Sequence, residues 1–173
     1  MSSNAMGKGP APEQGRKAPA LLALAAVLAL AVAYTSQYAF GLEPCQLCLW
    51  QRYPYMAAAP LGVLAALTAP GTSARRALLA LTGVAFLVGA GIAGLHVGVE
   101  QGWWEGLPGC SAPAISKDMS VAELQRALEA RAEVVPCDEP AWTLAGISMA
   151  GYNVMYALIL TLVTAWLLWR RRV

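Results

Sequence analysis

Two cysteines separated by two residues, Cys45 and Cys48, stand in the stretch EPCQLCLWQR. A disulfide across two intervening residues removes little freedom from the unfolded chain, so it stabilises a fold only weakly. Cysteine pairs with this spacing more often take part in thiol redox chemistry or bind a metal. This pair is therefore the first candidate for a reactive site.

The residues after the pair could tune its reactivity. If a helix begins near Cys45, Cys48 lies in its first turn, where unpaired N–H groups and the helix dipole favour a thiolate. Arg52 comes four residues after Cys48 and shares its helix face. Its charge would stabilise that thiolate or an anionic acceptor above it, and the simpler alternative is an anchor at the membrane interface. Because a charge within a membrane is costly and usually functional, we favour the functional interpretation.

His96 is the only histidine of the chain. It closes a predicted helix at the same expected depth as Cys48 and Arg52, with Glu100 one turn further on. A lone histidine is commonly an ordinary interfacial residue. Its convergence with Arg52 makes it a candidate donor to a bound carbonyl compound.

The second pair of cysteines, Cys110 and Cys137, lies in one long polar segment on the same predicted side as Cys45 and Cys48. This placement indicates an oxidising compartment. Two structural disulfides, Cys45 with Cys48 and Cys110 with Cys137, are one possibility, and the second would stabilise the fold by about 3 to 4 kcal/mol. An all-cysteine zinc site is another, although the second pair lacks the close spacing that such sites favour.

The composition indicates which kind of secondary structure positions these residues. Hydrophobic residues make up 58% of the chain and charged residues 13%, whereas a soluble domain has roughly 25% charged residues. A helix that crosses a bilayer needs about 20 apolar residues. Four runs meet this need and predict an all-α, four-helix transmembrane bundle, with helices at about 18–40, 49–69, 77–96 and 142–169.

The basic residues predict the orientation of the bundle, because Lys and Arg collect on cytoplasmic loops. Eight of the twelve fall before the first helix, between the second and third, and after the fourth. We therefore expect both termini in the cytoplasm and the segments at about 41–48 and 97–141 outside. The eight are Lys8, Arg16, Lys17, Arg75, Arg76, Arg170, Arg171 and Arg172.

The domain organisation is simple. Residues 1–6 are interpreted as a remnant of cloning, and residues 7–173 as one transmembrane domain. A cleaved signal peptide is an alternative for the first run, since AVA at 31–33 resembles a cleavage site. In the second outer segment, Ser120 and Glu123 form a capping-box pattern that predicts a short amphipathic helix on the membrane surface, against a partner, or on the bundle's outer end.

The stretch PCQLCLWQR, four helices and a second cysteine pair in a long outer loop together resemble the disulfide bond formation protein B (DsbB) family of membrane quinone reductases. The stretch GISMAGYN at 146–153 is also similar to that family. The resemblance extends from the first helix to the end of the chain. It implies a multi-pass protein of the bacterial inner membrane with its redox cysteines in the periplasm.

The resemblance also implies roles for individual residues. Cys110 would be attacked by a reduced DsbA-like thioredoxin-fold partner, and Cys137 would then exchange with Cys45. Cys48 would contact the quinone, assisted by Arg52 and, on a weaker match, by His96. The quinone would be ubiquinone or menaquinone, the other partner would be membrane lipid, and no metal or nucleic acid is expected.

The predicted function is therefore a thiol:quinone oxidoreductase that reoxidises a periplasmic dithiol oxidase and so sustains disulfide bond formation. An enzyme of the vitamin K epoxide reductase type is an alternative, although its membrane-edge CxxC is expected late in the bundle. A non-enzymatic membrane scaffold with structural disulfides is the other. Loss of quinone reduction after Cys45→Ser or Cys48→Ser would separate the enzyme from the scaffold.

Overall fold

The structure is a computed structural model that describes residues 12–107, 110, 118–133 and 135–170. The described chain is mostly helical, with one short β-hairpin. The predicted cloning remnant at 1–6 and the basic residues Lys8, Arg171 and Arg172 lie outside the described residues. The elements are α1 Pro12–Tyr38, α2 Gln46–Trp50, α3 Arg52–Leu67, α4 Ser73–Glu100, α5 Val121–Glu133, β1 Thr143–Leu144, β2 Ile147–Ser148 and α6 Met149–Arg170.

Three of the described helices are long and apolar enough to cross a membrane, namely Arg16–Tyr38, Ser73–Glu100 and Met149–Arg170. The prediction of an α-helical membrane protein is confirmed at this level. The predicted helix at 49–69 differs, because the chain forms α2 and then α3, which has 16 residues.

The break between α2 and α3 has a local cause in Pro54. Proline has no N–H to bond the carbonyl of Trp50, and its ring crowds that carbonyl. The interruption is nevertheless slight, since Gln51 has φ −63° and ψ −19°, within the right-handed helical region. The helical path from Gln46 to Leu67 therefore runs on with one interrupted residue.

The other helices also differ from prediction at their ends. α1 is already helical at Pro12, the first residue that the structure describes, and so extends further towards the N-terminus than the predicted start at 18. α4 begins earlier and ends later than the predicted 77–96, and the Thr72 side chain accepts a hydrogen bond from the Arg75 backbone N–H at its start. α6 begins at Met149 instead of 142, because the preceding residues form the hairpin.

The hairpin joins β1 and β2 through Ala145 and Gly146, with Thr143 opposite Ser148. Both central residues have positive φ, 51° and 77°. A two-residue hairpin turn favours this conformation, and glycine adopts it without the steric cost that other residues meet. The sequence analysis missed this element because its strands are only two residues long.

The bundle packs in chain order, α1 on α3, α3 on α4 and α4 on α6. The Tyr156 hydroxyl joins α6 to α1 by donating to the Ala25 carbonyl at 2.9 Å. Gly62 lets α1 and α3 approach closely, since a Cβ there would lie 3.0 Å from that of Ala23. The buried core of this bundle comprises Leu22, Ala26, Tyr55, Ala58, Ala65, Leu79, Phe86, Ala90, Ala157 and Leu160.

The predicted capping box of the amphipathic helix is confirmed at the start of α5. The Ser120 backbone N–H donates to Glu123 at 2.8 Å, and the Glu123 N–H donates to the Ser120 hydroxyl at 3.4 Å. These bonds satisfy two backbone donors at the helix start. The Ser120 hydroxyl also donates to the Glu123 carboxylate, and this bond, followed by the one from the Ser120 backbone N–H, lowers the pKa of the exposed Glu123 carboxyl.

Candidate functional site

The four cysteines meet at one end of the bundle. Cys45 and Cys48 are here called the turn pair, and Cys110 and Cys137 the loop pair. The loop pair forms a disulfide, and the Cys137 backbone N–H donates to the Cys110 carbonyl at 3.0 Å. Cys45, Leu47, Val99 and the loop pair share one buried cluster, against which Cys48 packs. The fold thus brings together two pairs that are far apart in sequence.

The start of α2 directs hydrogen-bond donors at Cys45. Cys45 is the N-cap of this helix, and its sulfur accepts the Cys48 backbone N–H at 3.3 Å. The two sulfur atoms of the turn pair lie 2.8 Å apart without a bond between them. Hydrogen bonding from the Cys48 thiol, and to a lesser extent from His96, lowers the pKa of Cys45 to about 4 against the opposing effect of burial. The structure therefore favours a thiolate on Cys45, where the sequence predicted it on Cys48.

His96 lies between the two pairs. Its Nε2 is 3.6 Å from the Cys45 sulfur and 3.2 Å from the Cys137 carbonyl oxygen. Its side chain is only 3% exposed. One ring nitrogen thus contacts both pairs, and the sequence had predicted only nearness to the turn pair.

A line of polar side chains continues from the other ring nitrogen of His96. The Gln51 amide lies 2.7 Å from Nδ1, and the Asn153 amide donates to the Gln51 carbonyl oxygen at 2.6 Å. Tyr55 donates in turn to the Asn153 carbonyl oxygen at 2.5 Å. These residues come from the break before α3, from α3 and from α6, so only the packed bundle aligns them.

Glu100 adds a carboxylate beside the histidine. Its Oε1 lies 3.8 Å from the Nε2 of His96, and its Oε2 accepts a hydrogen bond from the Ser148 hydroxyl. The carboxylate side chain is 3% exposed. The hairpin therefore serves the site directly, because β2 supplies the hydroxyl that satisfies this carboxylate.

Arg52 is buried at 7% exposure and contacts α1 rather than the cysteines. It donates to the Gln37 side-chain oxygen at 2.7 Å, and its guanidinium carbon lies 4.8 Å from the centre of the Tyr34 ring. It makes no hydrogen bond to either sulfur of the turn pair. In the described part of the chain its Nε has no partner, and no carboxylate lies within ion-pair distance. A buried cation without a carboxylate partner favours an acceptor group beside it.

A mostly apolar cavity of about 850 Å³ opens beside the turn pair. Its walls come from α1, from the turn at 41–45, from α6 and from residues 135–142. Cys45, Cys48, Gln51, Arg52 and His96 line it together. This volume lies within the range of about 300 to 1,000 Å³ that small-molecule sites occupy.

The arrangement bears on the zinc alternative. The loop disulfide leaves no free thiolate on Cys110 or Cys137, so the all-cysteine zinc site is wrong for this state of the protein. Cys45, Cys48 and His96 do place one donor atom each within 4.8 Å of one another. However, the Nε2 of His96 faces the Cys137 carbonyl, which can only accept, so this nitrogen carries a proton instead of a free lone pair. The absence of a metal stays a prediction.

The sequence analysis gave no role to several residues of the site. Gln51, Asn153, Gln37 and Ser148 were not singled out, although the first stands in the stretch PCQLCLWQR and two others, Ser148 and Asn153, stand in GISMAGYN. Polar side chains within apolar membrane helices are costly unless they are paired. An amide inside such a helix is therefore the signal that could have found Gln51 and Asn153.

Comparison with known proteins identifies the family. A family model for disulfide bond formation protein DsbB matches residues 15–167. The chain belongs to the DsbB family. The disulfide bond formation protein B of Acinetobacter baumannii is 33% identical over 159 residues, which cover 87% of this chain and 88% of that protein. The protein of the same name from Marinobacter nauticus is 31% identical, over 82% of this chain and 84% of its own length. That of Neisseria meningitidis serogroup A is also 31% identical, over 90% of this chain and 96% of its own length.

No solved structure gives a significant match to the chain. Membership of the DsbB family makes it a membrane protein of disulfide bond formation and implies a disulfide oxidoreductase. The DsbB sequence profile covers all four cysteines, Arg52 and His96, because each lies between residues 15 and 167. The resemblance drawn from PCQLCLWQR is thereby confirmed at the level of the family.

Proposed function

We propose that this DsbB-family protein is a thiol:quinone oxidoreductase that reoxidises a DsbA-like, thioredoxin-fold dithiol oxidase. It passes two electrons to a membrane quinone, either ubiquinone or menaquinone. It works in the bacterial inner membrane with its cysteines on the periplasmic side. One transmembrane domain, residues 7–173, carries the whole activity.

The proposed topology has four spans, with both termini in the cytoplasm. α2 and α3 together form the second span, since Gln46 to Leu67 would extend roughly 33 Å at 1.5 Å per residue, close to the roughly 30 Å of a hydrocarbon core. Five of the eight basic residues predicted to be cytoplasmic are described, and they stand at the helix ends remote from the cysteines. They are Arg16, Lys17, Arg75, Arg76 and Arg170. Cytoplasmic loops collect such residues, which supports this orientation.

The observation that carries the quinone proposal is the cavity that Cys48 and Arg52 line together. Its apolar walls suit a lipid-soluble ring compound. The buried Arg52 Nε without a partner in the described residues suits a carbonyl oxygen that accepts a hydrogen bond. A bound quinone supplies an acceptor for two electrons and two protons. The residues present therefore fit the group that the family resemblance implies.

The electrons pass from the partner to the loop pair and from the loop pair to the turn pair. The reduced partner attacks the loop disulfide at Cys110, and a second exchange within the mixed disulfide releases the partner oxidised and leaves the loop pair as two thiols. The Cys137 thiolate then attacks Cys45 of an oxidised turn pair, and Cys110 resolves the new mixed disulfide. The loop disulfide is restored and the turn pair holds two electrons and two protons. Each step exchanges one disulfide for another, so the electron count is conserved.

The turn pair is reoxidised at the cavity. With a quinone in the cavity, the Cys45 thiolate would close the disulfide onto Cys48, and the two electrons and the Cys48 proton would pass to the quinone, with the second proton from water. Arg52 holds its charge beside the receiving group and stabilises negative charge there. The loop disulfide beside a reduced turn pair, as the structure has them, is the state that precedes this step.

Anaerobic mixing tests the function directly. Purified protein is combined with a reduced DsbA-like partner and a soluble quinone, and the quinone absorbance is followed. We expect quinone reduction that disappears in Cys48→Ser. If the wild-type protein reduces no quinone while the loop disulfide remains intact, a scaffold with structural disulfides is the better description.

Arg52→Ala tests the quinone side of the site. We expect the KM for quinone to rise more than the KM for the partner, because Arg52 lines the cavity and does not contact the loop pair. The matched control is Arg126→Ala, which removes an exposed arginine of α5. Quinone kinetics that match those of the control would refute the role given to Arg52.

A further inference from the structure

The hydrogen bonds around Gln51 have only one consistent direction. Its amide nitrogen lies 3.3 Å from the Leu47 carbonyl oxygen, which can accept but not donate. The NH₂ group of Gln51 must therefore stand at this position. The same NH₂ group lies 2.7 Å from the Nδ1 of His96, so Nδ1 is the acceptor of that hydrogen bond.

The rest of the chain agrees with this direction. With its NH₂ group turned to His96, Gln51 presents its carbonyl oxygen to the Asn153 NH₂ group at 2.6 Å. Asn153 then presents its own carbonyl oxygen to the Tyr55 hydroxyl at 2.5 Å. A reversed Gln51 amide would set its oxygen against the Leu47 carbonyl and its NH₂ group against that of Asn153. The Leu47 carbonyl thus opposes the reversal, and Asn153 would have to turn its own amide to accept the Gln51 NH₂ group.

The consequence falls on the far side of the imidazole ring. A neutral histidine carries one ring proton, so a histidine that accepts at Nδ1 must donate at Nε2. The Nε2 of His96 lies 3.2 Å from the Cys137 carbonyl oxygen and 3.6 Å from the Cys45 sulfur, and both of these atoms can accept a hydrogen bond. Gln51, inside the bundle, therefore favours a proton on the Nε2 of His96, the nitrogen that contacts both cysteine pairs.

We propose that Gln51 and Asn153 are positioning residues that hold His96 as its neutral Nε2–H form, so that His96, which lies between the turn pair and the loop pair, donates to the Cys45 sulfur and keeps it a thiolate. The inference rests on the proposed function in one respect, that Cys45 exchanges with Cys137. Neither amide contacts a reacting sulfur. Both act through the ring of His96.

Other titratable and charged groups face Cys45 and enter any measurement of its ionisation. Cys48 lies on α2 at 2.8 Å and Glu100 lies on α4 beside His96. Arg52 of α3, Glu43 of the preceding turn and Glu139 line the same cavity. Substitution of the uncharged Gln51 or Asn153 leaves all of these charges in place, so a change at Cys45 would not come from a change in the charge of the site.

The protonation of His96 can be read directly, because the chain has one histidine. Histidine-selective ¹⁵N labelling of the reduced, detergent-solubilised protein gives the two ring nitrogens of His96 alone. We expect a protonated Nε2 and an unprotonated Nδ1 at pH 8. The opposite assignment, or two protonated nitrogens, would overturn the proposal without recourse to any variant.

Gln51→Met tests the positioning role, since methionine has a similar length and no N–H donor. Without the donor at Nδ1, only the Cys137 carbonyl still favours the Nε2–H form, so His96 spends more time in its other neutral form and the Cys45 thiolate loses part of its stabilisation. We expect the ¹⁵N signals to average at pH 8, and the rate of Cys45 alkylation by iodoacetamide at the same pH to shift upward about threefold, because a thiolate that loses a hydrogen-bond donor becomes more nucleophilic. Peptide mass spectrometry assigns the alkylated cysteine.

Gln125→Met is the matched control, because Gln125 is exposed on α5 and its amide donates to Glu129 of the same helix. It should leave both readouts unchanged. An unshifted rate of Cys45 alkylation at pH 8 in Gln51→Met, with the ¹⁵N signals still separate, would show that Gln51 merely fills space. If Gln51→Met does not fold, Asn153→Leu and Tyr55→Phe remove successively more distant bonds of the chain, and the shift should diminish in that order.

These measurements need neither quinone nor partner protein. If quinone reduction fails in the wild-type protein while His96 carries its proton on Nε2 and Gln51→Met shifts Cys45, the proposed function fails and the positioning role stands. If quinone reduction succeeds and both readouts are unmoved, the function stands and the positioning role fails. The two proposals are thus separable.

Discussion

The loop pair and the turn pair lie in one buried cluster, yet their sulfurs have different surroundings. Cys110 and Cys137 are bonded to each other, and the backbone hydrogen bond between them ties the two ends of a long loop. Cys45 instead receives a backbone N–H from the helix start and faces His96 across 3.6 Å. Burial alone would disfavour an ionised sulfur. The directed donors at the turn pair reverse that preference, and so the reactive thiolate is expected there.

The largest expected effect comes from removing each pair in turn. Replacing both cysteines of the turn pair by alanine should reduce quinone reduction to the uncatalysed background with any electron donor, because the thiols beside the cavity are gone. Replacing both cysteines of the loop pair should abolish only reduction driven by the DsbA-like partner. A small dithiol that enters the cavity should still reduce quinone. Loss of the dithiol-driven reaction in the loop variant would contradict the proposal that the turn pair reduces quinone and the loop pair serves the partner.

The pH dependence of its alkylation should also distinguish Cys45 from an ordinary cysteine. A pKa lowered to about 4 means that Cys45 of the native reduced protein is a thiolate throughout pH 6 to 8. Its alkylation rate should be nearly flat over this interval, whereas that of the unfolded chain should rise about a hundredfold, tenfold per pH unit. Peptide mass spectrometry after timed alkylation measures both.

The same pKa has a consequence for stability. Because the folded pKa of Cys45 is lowered from 9.0 to about 4, its contribution to folding is complete above pH 9. It fades as the pH falls from 9 towards 4. A native Cys45 whose alkylation rises steeply between pH 6 and 8 would contradict both expectations.

A smaller effect should follow Gly98→Ala, which acts on the loop side alone. The Trp104 ring lies against Gly98, and a Cβ there would overlap it, while the indole N–H donates to the Leu95 carbonyl at 3.0 Å. Displacing the ring should cost about 1 to 3 kcal/mol and lower the partner-driven rate more than the dithiol-driven rate. Thermal unfolding in detergent and the two quinone assays measure these effects.

Gly94→Ala is the matched control for that substitution. It is another glycine of α4, and a Cβ there would meet nothing within 4 Å. Its effect on the melting temperature should be neutral or stabilising, because alanine restricts the unfolded chain. Equal destabilisation by the two substitutions would mean that Trp104 does not hold the loop segment.

The smallest effect is expected from Ser120→Ala at the start of α5. Loss of an N-cap side chain typically costs about 1 kcal/mol, and here it also removes the partner of Glu123. Amide hydrogen exchange in α5 should quicken about fivefold, while the turn pair keeps its alkylation profile. An altered profile at Cys45 would show that α5 is coupled to the site more closely than the structure indicates.

Much of the fold followed from patterns that act locally. Apolar runs predicted α1, α4 and α6 because each helix satisfies its own backbone hydrogen bonds in a membrane. Ser120 and Glu123 predicted the start of α5 for the same kind of reason, since the capping box depends on residues three apart. The helix ends were less predictable. Pro54 breaks the predicted helix at 49–69, and a hairpin replaces the first turns of the predicted helix at 142–169.

The candidate site was predicted in part. The spacing of Cys45 and Cys48 and the rarity of charge in an apolar chain identified the turn pair and Arg52. The sequence could not predict that Arg52 would turn to Gln37 of α1 instead of Cys48. Nor could it predict that Cys45 would receive the helix-start donor. Side-chain partners depend on which helices become neighbours, and that choice is made over distances that sequence spacing does not record.

The sequence by itself thus determined the membrane class, the candidate cysteine pair and the family, because hydropathy, CxxC spacing and a motif are properties of short stretches. Only the tertiary structure decided how His96 joins the two cysteine pairs and how Gln51, Asn153 and Tyr55 orient it. Those residues come from separate elements, and a hydrogen bond forms only within about 3.5 Å and in a fixed direction. Packing of the bundle supplies both the distance and the direction.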